Sequence, residues 1–133
     1  MSKIKPSKRD LYYTSDHEWI DFQGSVAYVG ICAIKLKSIK EISHIDFIEK
    51  TGQFSQGNLL ATINNDERGI RISMPVNGKI ISINEVLLTD DRKILLEQPE
   101  NNGWIALIVP SQPYERKGLM APDQYKQFLK KSH

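Results

Sequence analysis

Leu59-Leu60-Ala61-Thr62-Ile63, Asn64-Asn65-Asp66-Glu67-Arg68-Gly69 and Ile70-Arg71-Ile72-Ser73-Met74 read in succession as strand, turn and strand. The first segment is apolar and rich in residues that fit a pleated, buried surface. The second gathers Asn, Asp and Gly, whose short side chains or missing Cβ suit turn geometry. The third alternates apolar and polar residues, which places Ile70 and Ile72 on one face of a half-buried strand and Arg71 on the other. Pro75-Val76-Asn77-Gly78 closes the unit, and its Asn-Gly pair is itself a strong hairpin signal. One β-hairpin over Leu59–Gly78 is therefore the local structure from which the rest of the chain is read.

The flanks repeat this texture. Leu11-Tyr12-Tyr13, Trp19–Phe22, Val26–Cys32, Ile42–Ile48, Lys79–Ile83 and Trp104–Val109 are short apolar or alternating runs between turn signals, the pattern of a mainly β domain. Ala33–Ile39 reads weakly as a short helix, Thr51–Gly57 as a turn region and Pro99–Gly103 as a loop, and Asp90–Gln98 has room for a helical turn. Pro122–Lys131 has the charge order of a terminal helix, with Asp123 in its first turn and Lys130 and Lys131 in its last. No repeat or linker divides the chain, so residues 1–10 read as a basic flexible tail and 11–133 as one domain.

Composition narrows the function classes. With 133 residues, 40% hydrophobic and 26% charged, the chain has enough apolar material for one core. A net charge of +2 is too small and too dispersed to indicate nucleic acid, and Lys3, Lys5, Lys8 and Arg9 read as a solvated tail rather than a binding arm. No apolar run approaches the roughly 18–20 residues that span a bilayer. The basic start is not followed by the apolar segment of a secretory signal. The one cysteine, Cys32, excludes an internal disulfide, fits a reducing, cytoplasmic setting, and reads as a small buried hydrophobe rather than a reactive thiol. No C-x-x-C pair, Gly-rich phosphate loop or H-E-x-x-H is present. His17 reads as a hydrogen-bonded structural residue rather than a general base, Trp19 and Trp104 read as core anchors, and His44 lacks a partner at metal-ligand spacing.

Several motifs, in order, resemble the glycine cleavage system H protein family. Tyr13-Thr14-Ser15-Asp16-His17-Glu18-Trp19 is similar to the family's Y-[ST]-x-x-H-E-W, and Gly24 with Val26-Ala27-Tyr28-Val29-Gly30-Ile31 to its G-x-V-A-x-V-G-I. Glu41-Ile42, Gly57, Asn84-Glu85-Val86-Leu87, Asn102-Gly103-Trp104-Ile105 and Gln124–Leu129 continue the likeness to about Leu129. The resemblance implies a barrel-sandwich hybrid of two small antiparallel sheets, as in lipoyl and biotinyl carriers, with a C-terminal helix. It implies no catalysis by the chain itself.

The departures from that pattern fall at the expected working parts. The family's hairpin carries a lipoyl lysine, with Pro-x-x-Gly eight residues later; counting back from Pro75 puts Glu67 at that position. Lipoylation needs an amine nucleophile, which neither the Glu67 carboxylate nor the delocalised Arg68 guanidinium provides. The tip is thus Asn65, Asp66, Glu67, Arg68 and Gly69, and in sequence the closest lysines are Lys50 and Lys79. The family's cleft for the loaded arm uses the glutamate of H-E-W, here Glu18, and an acid four positions after the lysine, where Arg71 stands. Family members are typically acidic, which helps steer them to their enzymes. The resulting expectation is an H-like protein without lipoate, regulatory or scaffolding, partnered by glycine cleavage or lipoate-transfer enzymes, with Glu18 and Arg71 marking a vestigial cleft. Two alternatives stand beside it: a lipoyl carrier modified at another lysine such as Lys50 or Lys79, and a small-anion binding module in the vacated cleft.

Overall fold

The quoted stretch folds as an antiparallel hairpin, β6 (Leu59–Asn64) against β7 (Gly69–Ser73), with Asn64 opposite Gly69 and Leu59 opposite Ser73. The computed structural model describes residues 9–65, 67–112 and 115–131. Pairing shifts between Leu59 and Ala61, and this bulge accounts for two successive buried residues, Leu60 and Ala61, on a strand that otherwise alternates. β4 (His44–Phe47) adds to the other side of β6, completing a three-stranded sheet in the order β4-β6-β7. A six-stranded sheet lies across the core in the order β1-β2-β3-β9-β8-β5. Its members are β1 (Leu11–Tyr13), β2 (Glu18–Gln23), β3 (Val26–Ile31), β5 (Gly52–Phe54), β8 (Gly78–Ile83) and β9 (Ala106–Pro110). All pairings are antiparallel. The expected fold class, mainly β with two antiparallel sheets and a C-terminal helix, is the fold observed.

Inward residues of both sheets make one core. Ile20, Val29, Ile63, Ile72, Ile80 and Ile108 are buried in it, as the alternation of each strand requires, and Leu60 at the bulge and Ile105 before β9 join them. A second cluster forms where α3 (Pro122–Lys131) packs on the edge of the larger sheet. Trp19, Cys32 and Tyr125 are buried there, flanked by Tyr13 and Phe128. Tyr13 and Tyr125 stack with ring centroids 4.4 Å apart. Met120 exchanges two backbone hydrogen bonds with Tyr13, covering the edge of β1. Gly30 sits under the Trp19 indole, and a Cβ there would stand 2.5 Å from its ring carbons.

Several local expectations change in three dimensions. The turn region Thr51–Gly57 contains the edge strand β5, whose Phe54 is buried against the core. Asn77-Gly78 is a crossover between the sheets rather than a hairpin turn, since β7 and β8 belong to different sheets. Asn77 Oδ1 accepts from the Gln56 amide at 2.6 Å, while Gly78 meets Val109 and Pro110 so closely that a Cβ would lie 2.8 Å from a carbonyl oxygen. Glu85–Leu88 winds as a 3-10 turn capped by the Asn84 side chain, and Asp90–Gln98 provides only the short α2 (Ile94–Glu97). α1 is likewise short, Ala33–Leu36. Of the anticipated tail, Met1–Lys8 lie outside the described residues. Its last two residues are docked: Arg9 Nε bonds Asp21 Oδ2 at 3.1 Å, and the Asp10 amide donates to Asp21 Oδ1 at 2.8 Å. Among the described residues, no helix is long and apolar enough to cross a membrane.

Candidate functional site

The tip of the β6–β7 hairpin is organised by Asn65. Its amide donates to the Arg68 carbonyl at 3.0 Å, and its Oδ1 accepts from the amides of Glu67 at 2.9 Å and Arg68 at 2.8 Å. A short side chain thus satisfies the turn's own donors, the reason Asn favours such positions. Glu67, Arg68 and Gly69 are exposed, and Asp66 lies outside the described residues. Gly69 closes the turn where the Asn64 side chain leaves no room, since a Cβ would stand 2.9 Å from its Oδ1. The Arg68 guanidinium reaches back to Ser38 Oγ at 3.1 Å, linking the tip to the segment between α1 and β4. That segment also brings Lys40 to the tip: Lys40 and Glu67 line the same shallow surface pocket, with Asn65 and Glu41.

Lys50 and Lys79, the closest lysines in sequence, lie elsewhere. Lys79 is on β8, opposite Gln53 and Val109 in the six-stranded sheet. Lys50 follows the end of β4 at which Phe47 pairs with Ala61, away from the His44–Asn64 end beside the tip. Through space, Lys40 lines the tip pocket and Lys35 the adjoining cleft beside Gly69, and sequence distance pointed to neither.

Below the tip, on the outer side of β7, a cleft of about 400 Å³ is lined by Asp16, Lys35, Gly69, Ile70, Arg71 and Ser73. Arg71 is exposed and Ile72 is buried to 1% exposure, the two-faced strand that the alternation predicts. Lys35, from α1, donates its Nζ to the Asp16 carbonyl at 2.8 Å and to the Arg71 carbonyl at 3.2 Å. One ammonium thereby ties β7 to the loop before β2 and occupies an outward carbonyl of an edge strand. Lys35 and Asp16 were not anticipated; the lysines of Ala33–Ile39 gave no sign beyond helix solubility.

Glu18 stands behind the cleft wall rather than on its surface. It is 3% exposed. Its Oε2 accepts from the Ser73 amide at 2.8 Å, and its Oε1 accepts from Thr14 Oγ1 at 3.0 Å. Both carboxylate oxygens are engaged, so Glu18 bridges the two sheets at the hairpin's base. Burial raises its pKa from the ordinary 4.5, opposed by the Ser73 amide and the Thr14 hydroxyl. Glu18 and Arg71, expected as two parts of one cleft, are thus a buried brace and an exposed rim.

The remaining candidates resolve into structural roles. His17 adopts φ 66°, and its Nδ1 lies 2.7 Å from the Tyr125 hydroxyl, fastening α3. Cys32 is buried, and burial pushes its thiol up to about 12, so thiolate chemistry is suppressed. His44 pairs with Asp46 at 3.1 Å on the exposed face of β4. Among the described residues, no group of three or more His, Cys, Asp or Glu side chains is placed to hold a metal ion. Trp19 is the core anchor expected, its Nε1 donating to the Pro99 carbonyl at 3.0 Å. Trp104 is half-buried: it packs against the cluster of Trp19, Cys32 and Tyr125 and also lines a surface cavity, so it anchors the core from its margin.

Three comparisons bear on this geometry. A family model described as glycine cleavage H-protein matches residues 11–132. Glycine cleavage system H protein 4 of Aquifex aeolicus is 34% identical over 123 residues, covering 92% of this chain and 71% of that protein. The probable glycine cleavage system H protein of Aeropyrum pernix is 32% identical over 124 residues, covering 93% and 86%. In structure, a glycine cleavage system H protein from Mycobacterium marinum superposes with a TM-score of 0.74 at 22% identity, over 92% of this chain and 97% of that one. The last is a likeness of fold.

Proposed function

This chain belongs to the glycine cleavage H-protein family, and on that premise we propose that it is a member without a hairpin lipoyl group, acting through protein contacts instead of carrying an acyl arm. One observation carries the reading: the exposed tip presents Glu67 and Arg68 at the place where the family resemblance expects an amine. A carboxylate cannot form the amide, and a guanidinium that stays protonated is no nucleophile. The cleft supports the same conclusion. Its charged lining residues are Arg71, Lys35 and Asp16, a balance of two cations to one acid that disfavours a cationic arm and favours an acidic group. With a net charge of +2, the chain also lacks the strong negative field that would steer it to the partners of an acidic carrier.

In this reading the protein is cytoplasmic, non-catalytic and free of cofactor. Its partner is a glycine cleavage or lipoate-transfer enzyme bearing acidic groups. The Arg71 guanidinium grips a carboxylate of that partner, a geometry for which Arg is well shaped. Residues 11–133 act as a single domain. A small anion occupying the same cleft is the competing use of Arg71, and competition of a free carboxylate with the protein partner distinguishes the two.

Incubation with a lipoate ligase, ATP and lipoate, followed by intact-mass measurement, tests the proposal. The mass should be unchanged. A gain of one lipoyl group would overturn it and favour the second reading, a carrier modified off the hairpin. For that reading Lys40, which shares the tip pocket with Glu67, and Lys35, which lines the cleft beside Gly69, are nearer targets than Lys50 and Lys79; peptide mapping would locate the group.

A further inference from the structure

On the outer face of the six-stranded sheet, away from the hairpin, lies a cavity of about 480 Å³, within the range of small-molecule sites. Tyr28 of β3 and Leu107 of β9 are register partners, and both are half-buried while Ala27, Val29, Ala106 and Ile108 face the core. Their side chains therefore form the cavity floor on the opposite face of the sheet. Trp104, Val86 and Ile94 wall it from the loops above. Tyr28 and Trp104 meet edge to face, with ring centroids 5.2 Å apart.

The cavity is held open by a buried brace. Asn84 is 6% exposed; its Nδ2 donates to the carbonyls of Asn102 at 3.1 Å and Trp104 at 2.9 Å, and its Oδ1 accepts from the Val86 amide at 3.3 Å. These bonds fix the two overhanging segments relative to each other without any ligand. Such preorganisation lowers the ordering cost of binding. The charge of the site is one-sided. Among the described residues lining it, Glu85, exposed on the rim, is the only charged side chain and none is basic. The aromatic and branched side chains offer an apolar surface to a ligand's body, and the carboxylate at the mouth attracts a positive charge.

We propose that this cavity binds a small organic cation with an aromatic or branched apolar body, the body against Tyr28, Trp104 and Leu107 and the ammonium toward Glu85. The site is separate from the hairpin and does not depend on how the hairpin is used.

Phenethylammonium and its anionic counterpart phenylacetate, titrated into the full-length protein while the Trp104 indole N–H is followed by NMR, test this. The expected result is saturable binding of the ammonium, about tenfold tighter than the carboxylate. Glu85→Gln should remove that preference and leave the amide spectrum otherwise intact. Leu107→Trp should fill the cavity and abolish the response; if it disturbs the whole spectrum, Val86→Phe fills the site from the opposite wall. Absence of a saturable shift, equal binding of the two probes, or a response that persists in a folded cavity-filling variant would overturn the proposal.

Discussion

The base and the tip of the same hairpin obey different rules. At the base, Ser73 donates to a carboxylate that is 3% exposed, and the next residue after that carboxylate, Trp19, is fully buried over Gly30. At the tip, Glu67 and Arg68 are exposed, and their backbone amides both donate to Asn65 Oδ1. A change at the base disturbs packing and buried hydrogen bonds. A change at the tip alters chemistry with little cost in stability, because Glu67 is exposed and, among the described residues, no buried partner depends on its side chain. A chain can therefore keep this scaffold while the residues of its tip change.

The largest expected effect breaks the base. Gly30→Ala drives a methyl into the Trp19 ring, with overpacking costing about 3 kcal/mol in chemical denaturation. A loss below about 0.5 kcal/mol would show that the indole has room to move, and the base would then be softer than argued. Glu18→Ala should follow at about 2 kcal/mol, because the Ser73 amide is left without its acceptor.

A subtler test of the base uses pH. Because burial raises the Glu18 pKa above its ordinary 4.5, the native state retains this proton where the unfolded chain has released it. Its contribution is fully present below the unfolded pKa and is lost as pH rises through the folded one. Glu18→Gln, which keeps an acceptor for Ser73, should flatten that fall in a series of denaturation curves beginning near pH 4.5. An unchanged slope would assign the pH dependence to other groups.

The smallest stability effects belong to the outer strand face and the tip. Arg71→Asp should change stability by less than about 0.5 kcal/mol, as exposed substitutions do, yet abolish recovery of a partner in pull-downs from the native host. Recovery of the same partner by both forms would remove Arg71 from the interface. Glu67→Lys should leave the denaturation midpoint unmoved and create a lipoylation target, read as added mass after ligase treatment. A folded variant that stays unmodified while a glycine cleavage system H protein is modified would show that position 67 is not the equivalent of the attachment site.

Much of this was legible in the chain. Alternation along Ile70–Ser73 placed Arg71 outward and Ile72 inward, because strand geometry sends successive side chains to opposite faces whatever the strand packs on. Pro122 and the flanking charges marked α3 to its ends, since helix termini have local requirements. That the tip residues Asn65 to Gly69 include Glu67 and Arg68 and no lysine is likewise read directly from the sequence. Other features depended on distant partners. Gly52–Phe54 becomes a strand only because Gly78–Ile80 offers it an edge, and Asn77-Gly78 becomes a crossover because its flanking strands join different sheets. The burial of Glu18, the position of Lys35 across the cleft and the approach of Lys40 to the tip arise from contacts between residues far apart in the chain. Local propensity and periodicity fixed the elements and their faces; which charges became buried, bridged or neighbouring was decided by how the two sheets closed, because hydrogen bonding and desolvation depend on three-dimensional surroundings that periodicity does not encode.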